Sequence, residues 1–391
     1  MVVKNKIGFS IGSLLSVFTF AMGITIVSTL LIPICKNFNY SIDKAGILFT
    51  ANFFGFIIFN VIFSIYSSKL NKKGILIVCT LLYSIFTLLF TTAPSFNILL
   101  IYMIMMGGVG GVMETLGSTL VVEINQEREG FFLNFTQIFF GIGALIGPVT
   151  AGYLEGQGYN WRIMFIVTAV FGVISCILLG LFKMEGLKKQ EEVKAKDLRK
   201  VFKIREFNIM IVAIVLYSGA EVGVWGWIST LLKQQFHATP FKSGLSVAIF
   251  WGFMIIGRIF TAKLTDKLDM RKVILLLSIA GTFFTFLLAL SKTEMSVWIL
   301  LALVGLSYSG IWPTIVAYGG KTAGRFSSSA YFLLIAAGGL GGMVFPYTLG
   351  ILGKAASISI TIGIIAFLML IIVGLSAFSI KDNINRKKGV I

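Results

Sequence analysis

The chain has 391 residues, of which 57% are hydrophobic and 13% charged, where a soluble domain carries about 25% charged residues. That apolar excess is too large for a water-soluble core and excludes a soluble enzyme in favour of a membrane-embedded chain. One histidine (His237) and three scattered cysteines (Cys35, Cys79, Cys176) supply neither a zinc cluster nor a disulfide framework, so no metal, cofactor or redox centre is expected.

Twelve apolar spans follow one another at 9–35, 42–67, 75–93, 96–124, 131–155, 161–182, 207–235, 240–262, 273–291, 295–320, 327–352 and 355–380. A helix of about 20 residues crosses a hydrocarbon core of about 30 Å, so each is long enough to span a bilayer. The net charge of +17 is unevenly placed. Of the 33 Lys and Arg, 25 fall on the side shared by the N-terminus, the 183–206 stretch and the C-terminal tail; seven fall opposite, and Arg258 lies near the inner end of its span. By the positive-inside rule both termini are expected in the cytoplasm and the chain in the cell membrane. The basic excess is then a topology signal rather than a nucleic-acid surface. The first span is too long for a signal-peptide core and lacks a small-residue cleavage site, so it is expected to be retained.

The polar stretch 183–206 divides the spans six and six. The expected organisation is an N-terminal six-helix bundle at 1–182, a cytoplasmic linker at 183–206, and a C-terminal six-helix bundle at 207–391 with a short cytoplasmic tail. An offset of 198 residues aligns the halves: Gly141-Ile-Gly143-Ala-Leu-Ile-Gly147-Pro148-Val-Thr150-Ala-Gly152-Tyr-Leu154 falls on Gly339-Leu-Gly341-Gly-Met-Val-Phe345-Pro346-Tyr-Thr348-Leu-Gly350-Ile-Leu352, with six of fourteen positions identical. The same offset pairs Lys69 with Lys267, Lys73 with Arg271 and Gly107 with Gly305. Such a repeat implies an all-α integral membrane fold of twelve transmembrane helices in two pseudo-symmetric six-helix bundles.

This plan resembles the major facilitator superfamily, whose short signature lies between the second and third helices of each half. In the second half Gly257-Arg258, Ala262, Asp266-Lys267 and Arg271-Lys272 fit it; in the first, Ser64, Ser68-Lys69, Asn71 and Lys72-Lys73 keep the basic residues and lose the acid and glycines. The resemblance implies that Arg258, Asp266, Lys267 and Arg271 latch an inner gate. Lys69, Lys72 and Lys73 read equally well as topology determinants.

Charged groups inside spans are costly, by about 2.5–3.5 kcal/mol for an Asp or a basic residue at mid-helix, and so mark functional positions. Glu114 and Glu221 lie about ten and about fourteen residues from the inner ends of spans 4 and 7, near mid-membrane at ~1.5 Å per residue. Each can carry a proton, or instead sit protonated and hydrogen-bonded in a helix interface. Asn134 and Gln137, three residues apart on span 5, present amides on one helix face, suited to a polyhydroxylated ligand or to interhelical bonding. Trp225, Trp227, Trp251 and Trp312 lie away from the span ends where a membrane belt would place them. Their rings suit a sugar face or simple packing, and Trp312 falls opposite Glu114 under the 198 offset.

The strings Gly110-Gly111-Val-Met-Glu114-Thr115-Leu-Gly117-Ser118, Leu133-Asn134-Phe-Thr136-Gln137 and Gly219-Ala220-Glu221-Val222-Gly223-Val-Trp225 resemble the fucose/galactose/glucose–proton symporter branch of the superfamily. That resemblance implies roles in sugar binding and proton coupling for Glu114, Asn134 and Gln137. The first span departs from the branch's fucose members in lacking an Asp; Thr25, Ser28 and Thr29 are its nearby polar groups. Gly143-x-x-x-Gly147-Pro148 also nearly matches a signature of drug–proton antiporters, although small residues every fourth position equally serve close helix packing. Two functions therefore stay open. One is proton-coupled uptake of a sugar or similar neutral solute by alternating access, with Glu114 and Glu221 as proton carriers and Asn134, Gln137, Trp312, Trp251 and Thr25 as binding residues. The other is proton-driven efflux of an amphipathic or cationic drug. The expected partners are that solute, protons and the bilayer, with the chain acting as a monomer. Single cysteines placed within 183–206 on a cysteine-free background are expected to react with an impermeant maleimide only after permeabilisation; labelling in intact cells would overturn the orientation.

Overall fold

The computed structural model describes residues 6–66, 71–125, 129–182, 199–355 and 357–387. Helices of 20 residues or more account for eleven of the spans: Lys6–Asn37, Ile47–Tyr66, Lys72–Thr91, Phe96–Ile124, Glu129–Gly156, Arg162–Leu181, Arg205–Gln235, Pro240–Lys267, Met270–Ala289, Ser327–Ala355 and Ile358–Lys387. The remaining one, span 10, is made of two helices, Glu294–Tyr308 and Ile311–Thr322. This differs from the continuous helix expected over 295–320, and the break falls at Gly310 and Pro313. Proline has no N–H and sits best in a helix's first turn, where amides lack an intrahelical acceptor; the second helix begins at Ile311, after Gly310 as its N-cap, which puts Pro313 in that turn, whereas Pro33, Pro148 and Pro346 are carried inside unbroken helices.

The chain forms two compact units, one of Met1–Glu192 with Ile228–Trp251 and one of Val193–Trp227 with Gly252–Ile391. Within the first, span 1 packs against spans 4, 5 and 6, while span 4 carries spans 2 and 3. Within the second, span 9 packs on spans 10 and 12, and span 11 on span 12 and the second helix of span 10. Burial separates inner from outer helices. In span 1, 89% of the apolar window is buried, in span 9 only 33%. Spans 6 and 9 instead present Val170, Ile174, Ile177, Phe283 and Phe286 outward, apolar side chains that suit a lipid surface.

The 198-residue repeat is also a repeat of contacts. A Cβ on Gly143 would run into the Phe18 carbonyl of span 1, and a Cβ on Gly341 into the Val215 carbonyl of span 7. The glycines thus let span 5 approach span 1, and span 11 approach span 7, backbone to backbone. Two non-glycine residues, Asn39 (φ 50°) and His237 (φ 51°), take left-handed conformations and are also 198 apart. They end spans 1 and 7 as glycine commonly ends helices, the following amides returning to Cys35 (2.9 Å) and Leu232 (3.0 Å). The single histidine therefore has a backbone role.

Overpacking a close contact costs about 1–3 kcal/mol or more. Gly341→Val and Gly143→Val are each expected to lower the detergent melting temperature by several degrees, whereas Gly180→Val, with nothing within 4 Å of its Cβ position, is expected to leave it unchanged.

Candidate functional site

In the first unit the site is built on spans 1, 4 and 5 with residue 251 of span 8. Glu114 is half-buried on span 4 and shares a face with Gly110, one turn back, where the missing side chain admits the Phe20 ring. Phe20 stacks on Phe56 (6.4 Å between centroids) and meets Phe140 edge-on (6.2 Å). Phe140 in turn packs on Trp251 at 5.4 Å. Beside Glu114, Thr115 donates a hydrogen bond to Asn60 Oδ1 (2.9 Å), whose own amide donates to the Phe56 carbonyl (2.9 Å).

Gln137 is half-buried on span 5, three residues before Phe140 and on the same face. Asn134 lies on that helix, but its side chain is outside the described residues. Thr25 is fully buried and donates to its own helix at the Ala21 carbonyl (2.8 Å), so only its lone pairs remain for a ligand. Trp251 is 3% exposed, and its indole Nε1 has no protein acceptor.

The second unit holds the other acid. Glu221 and Tyr217 are one turn apart on span 7 and interact electrostatically, with the Arg258 guanidinium of span 8 also in range of Glu221. The Tyr217 hydroxyl also donates to the carbonyl of Tyr308 (2.8 Å), the last residue before the break in span 10. Tyr308 Oη meets Thr285 Oγ1 of span 9 at 3.1 Å. Both tyrosines are buried. Trp312 is half-buried just past the break, its Nε1 and Ser218 Oγ both facing Gly338. Trp227 has a structural partner, donating to the Pro346 carbonyl at 3.0 Å.

The loop charges pair differently from a gate read off the signature alone. Arg271 forms a bidentate bond to Asp269, Nε to Oδ1 at 3.0 Å and Nη2 to Oδ2 at 2.8 Å. The Arg271 side-chain bonds, above all, hold the Asp269 carboxyl down at about 2, so the pair stays charged at physiological pH. The Arg271 guanidinium also faces the Tyr318 ring (5.6 Å). Tyr318 and Ser379 both donate to Glu206 Oε2, at 3.2 and 2.7 Å. Lys267 is exposed, and the side chain of Asp266 lies outside the described residues, as does Lys69. In the first half Lys72 is buried against Glu123, and Lys73 donates to the Phe182 carbonyl (2.6 Å) at the end of span 6.

Sequence reasoning missed Tyr217, Tyr308, Asp269, Glu206 and the ion pair between Lys233 and Glu155 (2.6 Å). Lys233 also donates to the Thr29 carbonyl at 2.9 Å, tying the last turn of span 7 to spans 1 and 5 within the first unit. Its signal was available: a lysine within an apolar helix needs a partner, and Glu155 ends a neighbouring span.

Among the described residues, twelve spans are long and apolar enough to cross a membrane and none is a strand, which makes a multi-pass membrane architecture. The chain belongs to the Major Facilitator Superfamily, whose family description matches residues 13–346. The glucose/mannose transporter GlcP of Bacillus subtilis (strain 168) is 24% identical over 375 residues, 92% of each chain. The inner membrane transport protein YdhP of Escherichia coli (strain K12) is 29% identical over 282 residues, 71% of this chain and 69% of that one. In fold the chain is similar to the E. coli fucose:proton symporter FucP, with a TM-score of 0.69 and 19% identity over 96% of this chain and 99% of that one.

Lys233 and Glu155 are part-buried, so removing one strands the other at a cost below the about 3–5 kcal/mol of a fully buried pair, whereas replacing both is often neutral. Lys233→Met is expected to lower the melting temperature clearly, and Lys233→Met with Glu155→Met to restore most of the loss.

Proposed function

We propose that the chain is a proton-coupled importer of a sugar or a similarly neutral, polyhydroxylated solute. It works by alternating access in the cell membrane, as a monomer with both termini cytoplasmic. The observation that carries this reading is Trp251: a buried indole N–H without a protein acceptor, lying against the Phe140 ring. A stranded buried donor costs about 1–3 kcal/mol, and a solute hydroxyl is the acceptor that would satisfy it. Gln137 adds an amide on the face of span 5 that carries Phe140, and Phe20 and Phe140 add flat apolar surface. Ring faces joined to a few directional donors are what a pyranose requires.

Glu114, one turn from the Phe20 contact, is the proton carrier on the solute's side of this reading, with Glu221 the second acid. Protonation then biases the equilibrium between the two access states, and the solute biases the same equilibrium. The names of GlcP and FucP are in keeping with a sugar substrate. The Gly143 and Gly147 stripe, the argument for an exporter, is occupied in packing against Phe18, Met22 and Ile26 of span 1 and lends that alternative no separate support.

The test begins with thermal-shift screening of purified protein against hexoses, deoxyhexoses, pentoses and lipophilic cations. A stabilising sugar is expected to bind Trp251→Phe three- to tenfold more weakly, the loss of one net hydrogen bond of about 0.5–1.5 kcal/mol. Glu114→Gln is expected to abolish uphill accumulation under a proton gradient while exchange persists, since glutamine keeps the shape and cannot titrate. Stabilisation by lipophilic cations alone would replace import of a sugar with efflux.

A further inference from the structure

Glu221, Tyr217 and the end of the first helix of span 10 form a chain that the proposed function uses only at Glu221, as its second acid. Tyr217 Oη donates to the Tyr308 carbonyl at 2.8 Å, and the Glu221 carboxyl lies one turn along the same helix, within range as a competing acceptor. A phenol has one hydrogen to donate. When that hydrogen goes to the Tyr308 carbonyl, as in the structure, a bond between Glu221 and Tyr217 needs its hydrogen from Glu221, which only a protonated carboxyl can supply. When Glu221 is ionised it can only accept, and the phenol's single hydrogen is drawn to the carboxylate, because a charged acceptor binds it more strongly than a neutral carbonyl. The Tyr308 carbonyl then loses its donor. That carbonyl belongs to the last residue of a helix, where carbonyls depend on partners from outside, in a region without water to replace them.

We propose that Tyr217 is a positioning residue that transmits the protonation state of Glu221 to the break in span 10. Protonated Glu221 leaves Tyr217 bonded to the Tyr308 carbonyl and the two helices of span 10 held in the observed arrangement. Ionised Glu221 takes the bond and frees the junction at Ser309 and Gly310. No covalent bond is made or broken in this step beyond the one proton that Glu221 gains or loses.

The surroundings suit such a relay. From span 8, Arg258 supplies the positive charge that faces Glu221. From span 10 comes Tyr308, and from span 9 Thr285, which holds the Tyr308 hydroxyl at 3.1 Å. Spans 11 and 12 meet span 7 here through the apolar Phe345, Leu349 and Ile365. The junction is closely fitted, so a change in one bond is felt there: Gly310 lies directly against Thr261 of span 8, and Ser309 Oγ bonds back to the Leu306 carbonyl (2.7 Å).

The inference rests on Glu221 titrating, as the proposed function assumes, but not on the identity of the solute. Its test is hydrogen–deuterium exchange of the amides of 309–316 in the full-length protein, across pH 5 to 9 and corrected for intrinsic exchange rates. In the wild type, protection is expected to fall at least threefold as pH rises through the titration of Glu221. Tyr217→Phe, which keeps the ring and removes the hydroxyl, is expected to show low protection at every pH, and Glu221→Gln high protection at every pH. Tyr308→Phe leaves the backbone carbonyl in place, so it is expected to keep the wild-type pH profile. A flat wild-type profile, or a wild-type profile in Tyr217→Phe, would overturn the relay. A protein that shows the relay but is stabilised by no sugar would keep this inference and lose the solute reading.

Discussion

A hydrocarbon layer supplies no water to a freed carbonyl or an unshared charge, and several carbonyls of the described residues take a donor from a neighbouring span. The carbonyl of Pro346 receives the Trp227 indole, that of Thr29 receives Lys233, and that of Tyr308 receives Tyr217. Small hydroxyls mostly look after themselves: Thr80, Ser84, Thr87 and Thr168 each return to a carbonyl one turn back in their own helix. The Trp251 indole, like those of Trp161 and Trp298, has its donor inside without a protein acceptor, and of the three it is the one packed on Phe140 beside the face of span 5 that carries Gln137.

The duplication explains how the two halves came to answer the constraint differently. Tyr83 on span 3 fits against Gly110 on span 4, and Tyr308 on span 10 fits against Gly281 on span 9. Under the 198 offset Tyr83 corresponds to Gly281 and Gly110 to Tyr308, so the same interface is filled from opposite sides in the two halves. The exchange places a tyrosine at the end of the broken span in the second half and leaves span 4 continuous past Glu114. It also separates the acids. Glu221 corresponds to Gly23, which packs against the Tyr83 hydroxyl, while Glu114 corresponds to Trp312. Each half thus keeps one mid-span carboxyl, on a different helix of the repeat.

Apolar length made the twelve spans legible in the sequence, and the fixed offset made the repeat legible because backbone contact tolerates nothing larger than glycine at 143 and 341. The two acids were legible for the opposite reason, as charges where charges are expensive. Tyr217 and Tyr308 were not. In a chain with 14% aromatic residues, a tyrosine that donates to a distant carbonyl looks like one that only fills space. Asp269 was passed over because the signature pointed to Asp266, yet Asp269 begins span 9 as its N-cap and accepts the Arg271 amide at 2.9 Å. That placement gives the carboxylate a structural reason to sit beside Arg271 which no loop motif contains. The break in span 10 was written in Gly310 and Pro313, but glycine is so common here that neither residue distinguished a break from a close packing contact.

Magnitudes limit what one relay can do. Moving a single hydrogen bond from the Tyr308 carbonyl to Glu221 changes the free energy of the span 10 junction by about 0.5–1.5 kcal/mol net, roughly a two- to tenfold shift between two arrangements. Reversing an equilibrium from 1:99 to 99:1 takes about 5.5 kcal/mol. Protonation of Glu221 acting through Tyr217 would therefore bias the access equilibrium without deciding it, and the remainder would have to come from differential binding of the solute and from Glu114. A transporter that couples two ligands needs this division. If one proton sufficed to drive the full change, the empty carrier would cycle with the proton alone and dissipate the gradient; a small contribution from each event makes the transition depend on both.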